Sequence, residues 1–324
     1  RKAELFPNIT NYYIKKRENM FILIFNQLMK MFCILMLGFI CYKIKLLNQE
    51  GNRNLSNLLL MVVNPCLIIT TYQTNYDAKL VYGLLIAFAA AFTAHLIAIF
   101  IARICIGRKK NADYVLERFG TVYSNCGFMG IPLINSVLGS EGVFYLTAYM
   151  TVFNVLSWTH GLILLEGKFT PARLKEGMTS PLVLGTAVGM LLFFVQFRLP
   201  EILLDSMGYI ANMNTPLAMI IAGLSVAQAD LKKIFTNLRI YWTCFLKLIA
   251  VPLAVLAFLV IFKVNYNIAY TILIASACPT ATTLTMMAIR FNKNYKYASE
   301  IFAISTILSI ITIPLVAFAA GFFL

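Results

Sequence analysis

Apolar residues in this chain run in stretches of about 20, separated by short polar loops. A helix of that length matches the roughly 30 Å hydrocarbon core of a bilayer, whereas barrel strands would alternate over about ten residues. The pattern predicts ten helical spans, at about 20–42, 54–73, 80–106, 115–138, 143–165, 181–197, 206–227, 240–262, 268–289 and 298–322. Two of them are interrupted near mid-membrane. Span 4 contains Asn125-Cys126-Gly127-Phe128-Met129-Gly130-Ile131-Pro132, and span 9 contains Cys278-Pro279-Thr280-Ala281-Thr282-Thr283. In lipid, a freed backbone N–H or C=O costs several kcal/mol unless protein or a water-filled cavity satisfies it, so such breaks mark a binding site.

Composition agrees: hydrophobic residues make up 60% of the 324 and charged residues 12%, with a mean hydropathy of +0.80. A soluble domain carries about a quarter charged residues. The formal charge of +14 would suit a nucleic-acid binder only if the Lys and Arg shared one soluble face; here they sit in short loops between spans, so no nucleic-acid partner is expected. The seven cysteines fall inside apolar spans, with no CxxC or Cys/His spacing, so neither a disulfide framework nor a metal site is indicated.

The loop charges instead give the topology. Lys43, Lys45, Arg53, Arg108, Lys109, Lys110, Arg118, Lys168, Arg173, Lys175, Lys232, Lys233, Arg239, Arg290, Lys293 and Lys296 follow odd-numbered spans, while only Lys79, Arg198 and Lys263 follow even-numbered ones. Cytoplasmic loops are the basic ones, so both termini are predicted outside the cytoplasmic membrane. Residues 1–19, with Arg1, Lys2, Lys15, Lys16 and Arg17, contradict that count and are set apart as a non-native or loosely attached extension.

The breaks lie five spans apart, as do two mid-span prolines, in Asn64-Pro65-Cys66 of span 2 and Thr215-Pro216-Leu217 of span 7. A repeat of odd span number enters the membrane from opposite sides, so the two halves, 20–165 and 181–324, are predicted to be inverted and joined by a cytoplasmic linker at 166–180. Each broken helix leaves unpaired N–H groups on one side and unpaired C=O groups on the other, equivalent to about half an elementary charge per end. The N–H ends suit a carboxylate, with Asn125, Thr280, Thr282 and Thr283 adding neutral hydrogen bonds. The plainer reading is that Pro132 and Pro279 only kink their helices; two breaks at equivalent repeat positions favour a substrate site.

Asn64-Pro65, the run Asn125-Cys126-Gly127-Phe128-Met129-Gly130-Ile131-Pro132-Leu133 and Ala277-Cys278-Pro279 resemble the auxin efflux carrier family. That family includes the plant PIN carriers and bacterial proteins commonly described as malate or malonate permeases. The similarity covers residues 20–324, and Gly-x-x-Gly-Ile-Pro-Leu is its most specific part. The resemblance implies an all-α membrane fold of ten transmembrane helices in two inverted five-helix repeats, with helices 4 and 9 broken and crossing. It also implies a scaffold from spans 1, 2, 6 and 7, and a transport unit from spans 3–5 and 8–10 that moves as an elevator. By the same resemblance Asn125 contacts a substrate carboxylate, with Pro132 and Pro279 at the crossing. The long cytoplasmic loop of the larger plant members is missing here, so regulation there does not carry over.

Beside the breaks, Cys126, Gly127 and Cys278 complete the expected substrate contacts, joined by Tyr123 two residues earlier and by Asn154 in span 5. Ionisable groups inside spans are costly and are functional candidates by default. Lys247 in span 8 is read either as an anion-attracting or proton-linked charge or as a carbonyl-paired structural lysine. His95 and His160 are read either as proton-coupling groups or as interhelical hydrogen-bonders. Glu300 either pairs with Lys296 at i,i+4 or faces the crossing. Lys30, in a scaffold span, is read as structural or interfacial, and Gly185-x-x-x-Gly189 as a close-packing stripe that also suits a homodimer.

The resulting expectation is a secondary transporter for a small organic anion, a carboxylate, with no catalytic residues, metal or cofactor. No Gly-x-x-x-x-Gly-Lys-Ser/Thr loop is present for ATP. Proton and sodium coupling both stay open, the latter as in the bile-acid carriers that share the inverted ten-helix plan. A membrane ligand-sensing module is the alternative of a different class.

Overall fold

The computed structural model describes residues 6–107, 113–167, 171, 175, 178–229 and 237–324, with side chains from residue 22 onward. The basic-loop residues Arg108, Lys109, Lys110, Lys168, Arg173, Lys232 and Lys233, and much of the 166–180 linker, lie outside these residues. So do residues 1–5 of the N-terminal extension; from Phe6 the chain is helical and continuous with the first span.

The described chain is helical: α1 (Phe6–Lys43), α2 (Gln49–Thr71), α3 (Ala78–Cys105), α4 (Tyr114–Val122), α5 (Cys126–Glu166), α6 (Pro181–Val195), α7 (Glu201–Ala227), α8 (Leu238–Ile261), α9 (Tyr266–Ala277), α10 (Thr283–Arg290) and α11 (Tyr295–Ala320). Seven helices among the described residues are long and apolar enough to cross a membrane, while α6 and α9 are shorter apolar helices. Large apolar side chains such as Leu85, Phe100, Ile202, Leu238, Ile261 and Ile311 are exposed on the outside, as lipid contact requires. At 41 residues α5 is twice the membrane's needs, and it is divided where Gly139 takes φ +63, a conformation that glycine reaches without steric cost.

Proline positions account for three of the π-helical turns, the turn at Ser157–Gly161 having none after it. Pro65, Pro132 and Pro252 each stand two residues beyond a single π-helical turn, at Leu59–Val63, Cys126–Gly130 and Leu246–Ala250. A proline cannot donate to the carbonyl four residues back and its ring collides with that group; the wider π turn moves the carbonyl aside. Apolar periodicity carries no sign of these turns.

Glycine sets the closest helix contact. A Cβ on Gly223 of α7 would lie 1.9 Å from the Leu35 carbonyl oxygen of α1, and one on Gly38 of α1 would lie 2.3 Å from that of Ile220. The α1 and α7 backbones therefore touch without side chains between them. Gly185 and Gly189 let α6 approach Pro65 of α2 and the ring of Tyr72 just beyond α2, so that motif packs within the chain. Polar bonds reinforce these contacts: Lys43 Nζ donates to the Ala227 carbonyl at 3.1 Å, and Asn52 Nδ2 to Ser225 Oγ at 3.1 Å.

Short α4 is held by ions. Glu117, 1% exposed, accepts two hydrogen bonds from Arg239 of α8, at 2.8 and 2.9 Å, and one from Tyr297 Oη of α11 at 2.7 Å. Arg118, read from sequence as a loop charge, is buried and donates to the Ile106 and Arg103 carbonyls at the end of α3. Gly223→Ala should force α1 and α7 apart at a cost of about 1–3 kcal/mol, read as a lower melting temperature in detergent.

Candidate functional site

Helices α4 and α9 both stop in mid-protein, and the chain between each and its successor is extended. These two extended pieces pair with each other. Asn125 N–H donates to the Pro279 carbonyl at 2.7 Å and Ala281 N–H to the Tyr123 carbonyl at 2.9 Å, which makes an antiparallel bridge centred on Ser124 and Thr280. Backbone groups freed by the breaks thus satisfy one another, as burial demands.

The side chains of the two bridge residues repeat the exchange. Thr280 Oγ1 donates to the Gly120 carbonyl at 2.9 Å, and Ser124 Oγ to that of Ser276 at 3.3 Å. Each accepting carbonyl lies four residues before the opposite bridge residue. The hydroxyls therefore cap the C-terminal, partially negative ends of α4 and α9. The second of those ends also receives Lys247, which has no exposure to solvent and donates to Ser276 O at 3.0 Å and to Ser124 Oγ. Tyr149 Oη lies 3.3 Å from the same Ser124 hydroxyl.

With the negative ends capped, the positive ends remain. Helix α5 begins at Cys126; Met129 N–H donates to the Asn125 carbonyl at 3.0 Å, while the N–H groups of Cys126, Gly127 and Phe128 precede the first acceptor of the helix. Two carboxamides flank this turn. Asn125 Nδ2 and Asn64 Nδ2, on residues 3% and 0% exposed, are both buried donors without a hydrogen-bond partner. A Cβ built on Gly127 would lie 4.0 Å from Asn64 Nδ2 and 3.6 Å from Met150 Cε, so glycine here keeps the turn open to the Asn64 amide. Asn64 is held by Asn214 of α7, whose Nδ2 donates to Asn64 Oδ1 at 2.8 Å, leaving Asn214 Oδ1 unpaired. The arrangement offers unpaired N–H donors and a nearby ammonium, which is the chemistry that receives a small anion.

The other expected site residues divide. Cys126 and Cys278 are buried close together, since a Cβ on Gly130 would meet Cys126 Cβ at 3.4 Å and Cys278 Sγ at 3.6 Å. Pro132 is buried in the first α-helical turn after the π turn. Thr283 Oγ1 is buried and unpaired at the start of α10, with Thr282 as the preceding cap residue. Tyr123 contributes its carbonyl to the bridge, but its phenol turns away, donating to the Leu156 carbonyl at 2.7 Å and lying 3.0 Å from His160 Nδ1. Its ring packs against Phe119, Phe153 and His95 instead of lining the break. Asn154 is likewise spent on its own helix, donating to Met150 O at 3.0 Å. Glu300 is buried near the start of α11. Lys30 is on the exposed face of α1. His95 donates Nδ1–H to the Ala91 carbonyl at 2.8 Å, since a carbonyl only accepts, which leaves Nε2 a buried acceptor without a partner. Its ring stands 4.6 Å from that of Tyr149.

Sequence reading missed Ser124, Ser276, Tyr149 and Asn214. A partial signal existed only for Asn214, two residues before Pro216, one position away from the Thr215 that aligns with Asn64 in the repeat. Thr280→Val, which keeps shape and removes the cap on Gly120, should lower stability by about 1–2 kcal/mol in a thermal melt, more than Thr282→Val.

The model of the membrane transport protein family matches residues 23–177 and 168–317. An uncharacterized transporter of Methanothermobacter thermautotrophicus is 26% identical over 290 residues, 87% of this chain and 93% of that protein. The uncharacterized transporter YfdV of Escherichia coli is 26% identical over 199 residues, 58% and 62% of the two chains. A Rhizobium meliloti protein whose name proposes malonate transport is 24% identical over 230 residues, 66% and 70%. The chain belongs to this family of membrane transporters, the auxin efflux carriers, and is not an enzyme.

Proposed function

We propose that this auxin efflux carrier family member is a secondary transporter that moves a small organic carboxylate across the cytoplasmic membrane. One observation carries the reading: two buried carboxamide donors, Asn125 Nδ2 and Asn64 Nδ2, stand unpaired at the first turn of α5. An unpaired buried donor costs about 1–3 kcal/mol, and a carboxylate between the two would recover that and engage the helix N-terminus. Cys126 and Gly127 supply the backbone N–H groups, and Thr282 and Thr283 offer the corresponding turn of α10. The malonate in the name of the Rhizobium meliloti relative is a cargo of the same class.

In this reading the ten-span plan holds, with α4 plus the first part of α5 forming span 4 and α9 plus α10 forming span 9. The mirrored hydroxyl caps, Thr280 to Gly120 and Ser124 to Ser276, are what two inverted repeats meeting at a local two-fold axis would produce. Helices α1, α2, α6 and α7 form the scaffold, and the rest moves against it as an elevator. Asn64 lies on the scaffold side and Asn125 on the moving side, so cargo held by both would be released by one of them as the units slide. Tyr72 Oη to Thr147 Oγ1, at 2.7 Å, is a polar bond across that boundary which the motion must break. Basic loops place both termini outside, and a homodimer through the scaffold would keep it stationary.

Reconstituted in liposomes and offered labelled malonate, malate and acetate, the wild type should accumulate at least one. Asn125→Ala should reduce that uptake about 10- to 100-fold while inserting normally, the loss expected for a hydrogen bond to a charged group. Unchanged uptake would move the site elsewhere. Gly127→Ala, whose added methyl meets nothing closer than 3.6 Å, should keep the wild-type melting temperature and still lower uptake.

A further inference from the structure

We propose that Cys126 and Cys278 form an oxidisable thiol pair, one thiol from each break, and that its conversion to a disulfide by a hydroperoxide closes the anion site. The effect on transport rests on the reading that the first turn of α5 receives a carboxylate; the pairing of the two thiols does not.

The antiparallel bridge sets the pair up. Ser124 and Thr280 are joined through bonds made by their neighbours, Asn125 N–H to Pro279 O and Ala281 N–H to Tyr123 O. That is the non-hydrogen-bonded kind of pair, the one with the closer backbones. A step of two residues along each extended piece returns to the same face and brings position 126 opposite position 278. Both residues stand where their pieces end: Cys126 opens α5, and Cys278 caps α9 with φ −55 and ψ 148. Side-chain placement agrees with the register, because a Cβ built on Gly130 would lie 3.4 Å from Cys126 Cβ and 3.6 Å from Cys278 Sγ. Cysteines opposed in this way have Cα atoms about 4.5–5.5 Å apart, inside the range of about 4.4–6.8 Å that a disulfide spans. Both are free and buried, at 2% and 0% exposure, whereas Cys33 and Cys105 are exposed.

The chemistry closes with one named oxidant. One cysteine, as thiolate, attacks hydrogen peroxide; the O–O bond breaks, hydroxide leaves and a sulfenic acid forms. The second thiolate attacks the sulfenic sulfur, the S–S bond forms, and the S–O oxygen leaves and is protonated to water. Two thiols and one hydrogen peroxide thus become one disulfide and two waters, the sulfurs losing the two electrons that the peroxide gains. Hydrogen peroxide is small and uncharged, and it arrives by the route any cargo must take to the first turn of α5. The new bond holds Cys126 Cβ about 3.8 Å from Cys278 Cβ. Cys126 N–H is one of the open donors of that turn, and Gly130, one turn further on, packs beside both cysteines. The staple therefore fixes the turn to the end of α9, and it can no longer settle around a carboxylate that Asn64 holds from α2.

The test starts from the purified full chain, treated with hydrogen peroxide and then divided between plain buffer and dithiothreitol. Peptide mass spectrometry should find the segments containing Cys126 and Cys278 joined, lighter by two hydrogens. The oxidised chain should melt roughly 5 °C above the reduced one, since the cross-link spans a long stretch of chain and restricts the unfolded state. In liposomes its uptake of labelled carboxylate should fall about tenfold, the loss expected when a hydrogen bond to a charged group is withdrawn, and return with dithiothreitol. Cys278→Ser, compared with itself before and after peroxide, should show neither the linked peptide nor the melting shift. Absence of the linked peptide once Cys33 and Cys105 have been oxidised overturns the proposal. So does a linked chain whose uptake equals that of the reduced chain, or a melting shift that survives in Cys278→Ser. Should Cys278→Ser fail to fold, the wild-type mass spectrum and melt decide, and neither needs a cargo. Failure of the anion reading has a separate signature: Asn125→Ala leaves uptake unchanged while the linked peptide and the higher melt still appear.

Discussion

Two backbone hydrogen bonds, Asn125 N–H to Pro279 O and Ala281 N–H to Tyr123 O, are what permit this chain to break two helices inside a membrane protein. A single interrupted helix would leave several peptide groups unsatisfied in a medium that offers no water. Two interruptions laid antiparallel satisfy each other, and the hydroxyls of Ser124 and Thr280 complete the exchange at the helix ends. Everything at the site follows from that pairing. The C-terminal ends face inward and are capped, and the N-terminal turn of α5 is left as the open, positive end. The ion cluster of Glu117, Arg239 and Tyr297 matters because it fixes α4, without which one strand of the pair would have no support.

Prolines act at a second level. Three of them follow π turns at one fixed offset, and each turn shifts the helical phase around it: the Asn64 amide follows one directly, Gly127 lies in another and Lys247 in the third. A proline in a membrane helix here rotates a functional face as well as bending an axis. The rotated residues are the ones that meet at the breaks.

How much of this was legible in the sequence depends on what kind of interaction made it. The long apolar helices were readable because lipid imposes a length on apolar runs, and the breaks because polar and glycine residues at that depth are rare. That Asn125 stands at a break was readable from its motif. Arg118 was misjudged because a basic residue beside a loop looks solvated, whereas here it caps α3 from within. Tyr123 was assigned to the pocket by proximity along the chain and Asn154 by its place on the span facing span 4, yet side-chain direction, set by phase and by local bonds to Leu156 and Met150, sends them elsewhere. Ser124 and Ser276 looked like ordinary small polar residues, since their role depends on a partner about 150 positions away. Pairings of that range have no local trace.

The Asn64–Asn214 pair has a consequence for selectivity. Each amide orients the other between α2 and α7, so one donor and one acceptor are presented in fixed places by residues outside the paired breaks. In the proposed carboxylate reading, Asn64 shares the charged group with Asn125, and the unpaired Asn214 acceptor beside it is left to meet a donor elsewhere on the cargo. Selectivity would then be adjustable at position 214 while the backbone pairing that keeps the broken helices intact is untouched.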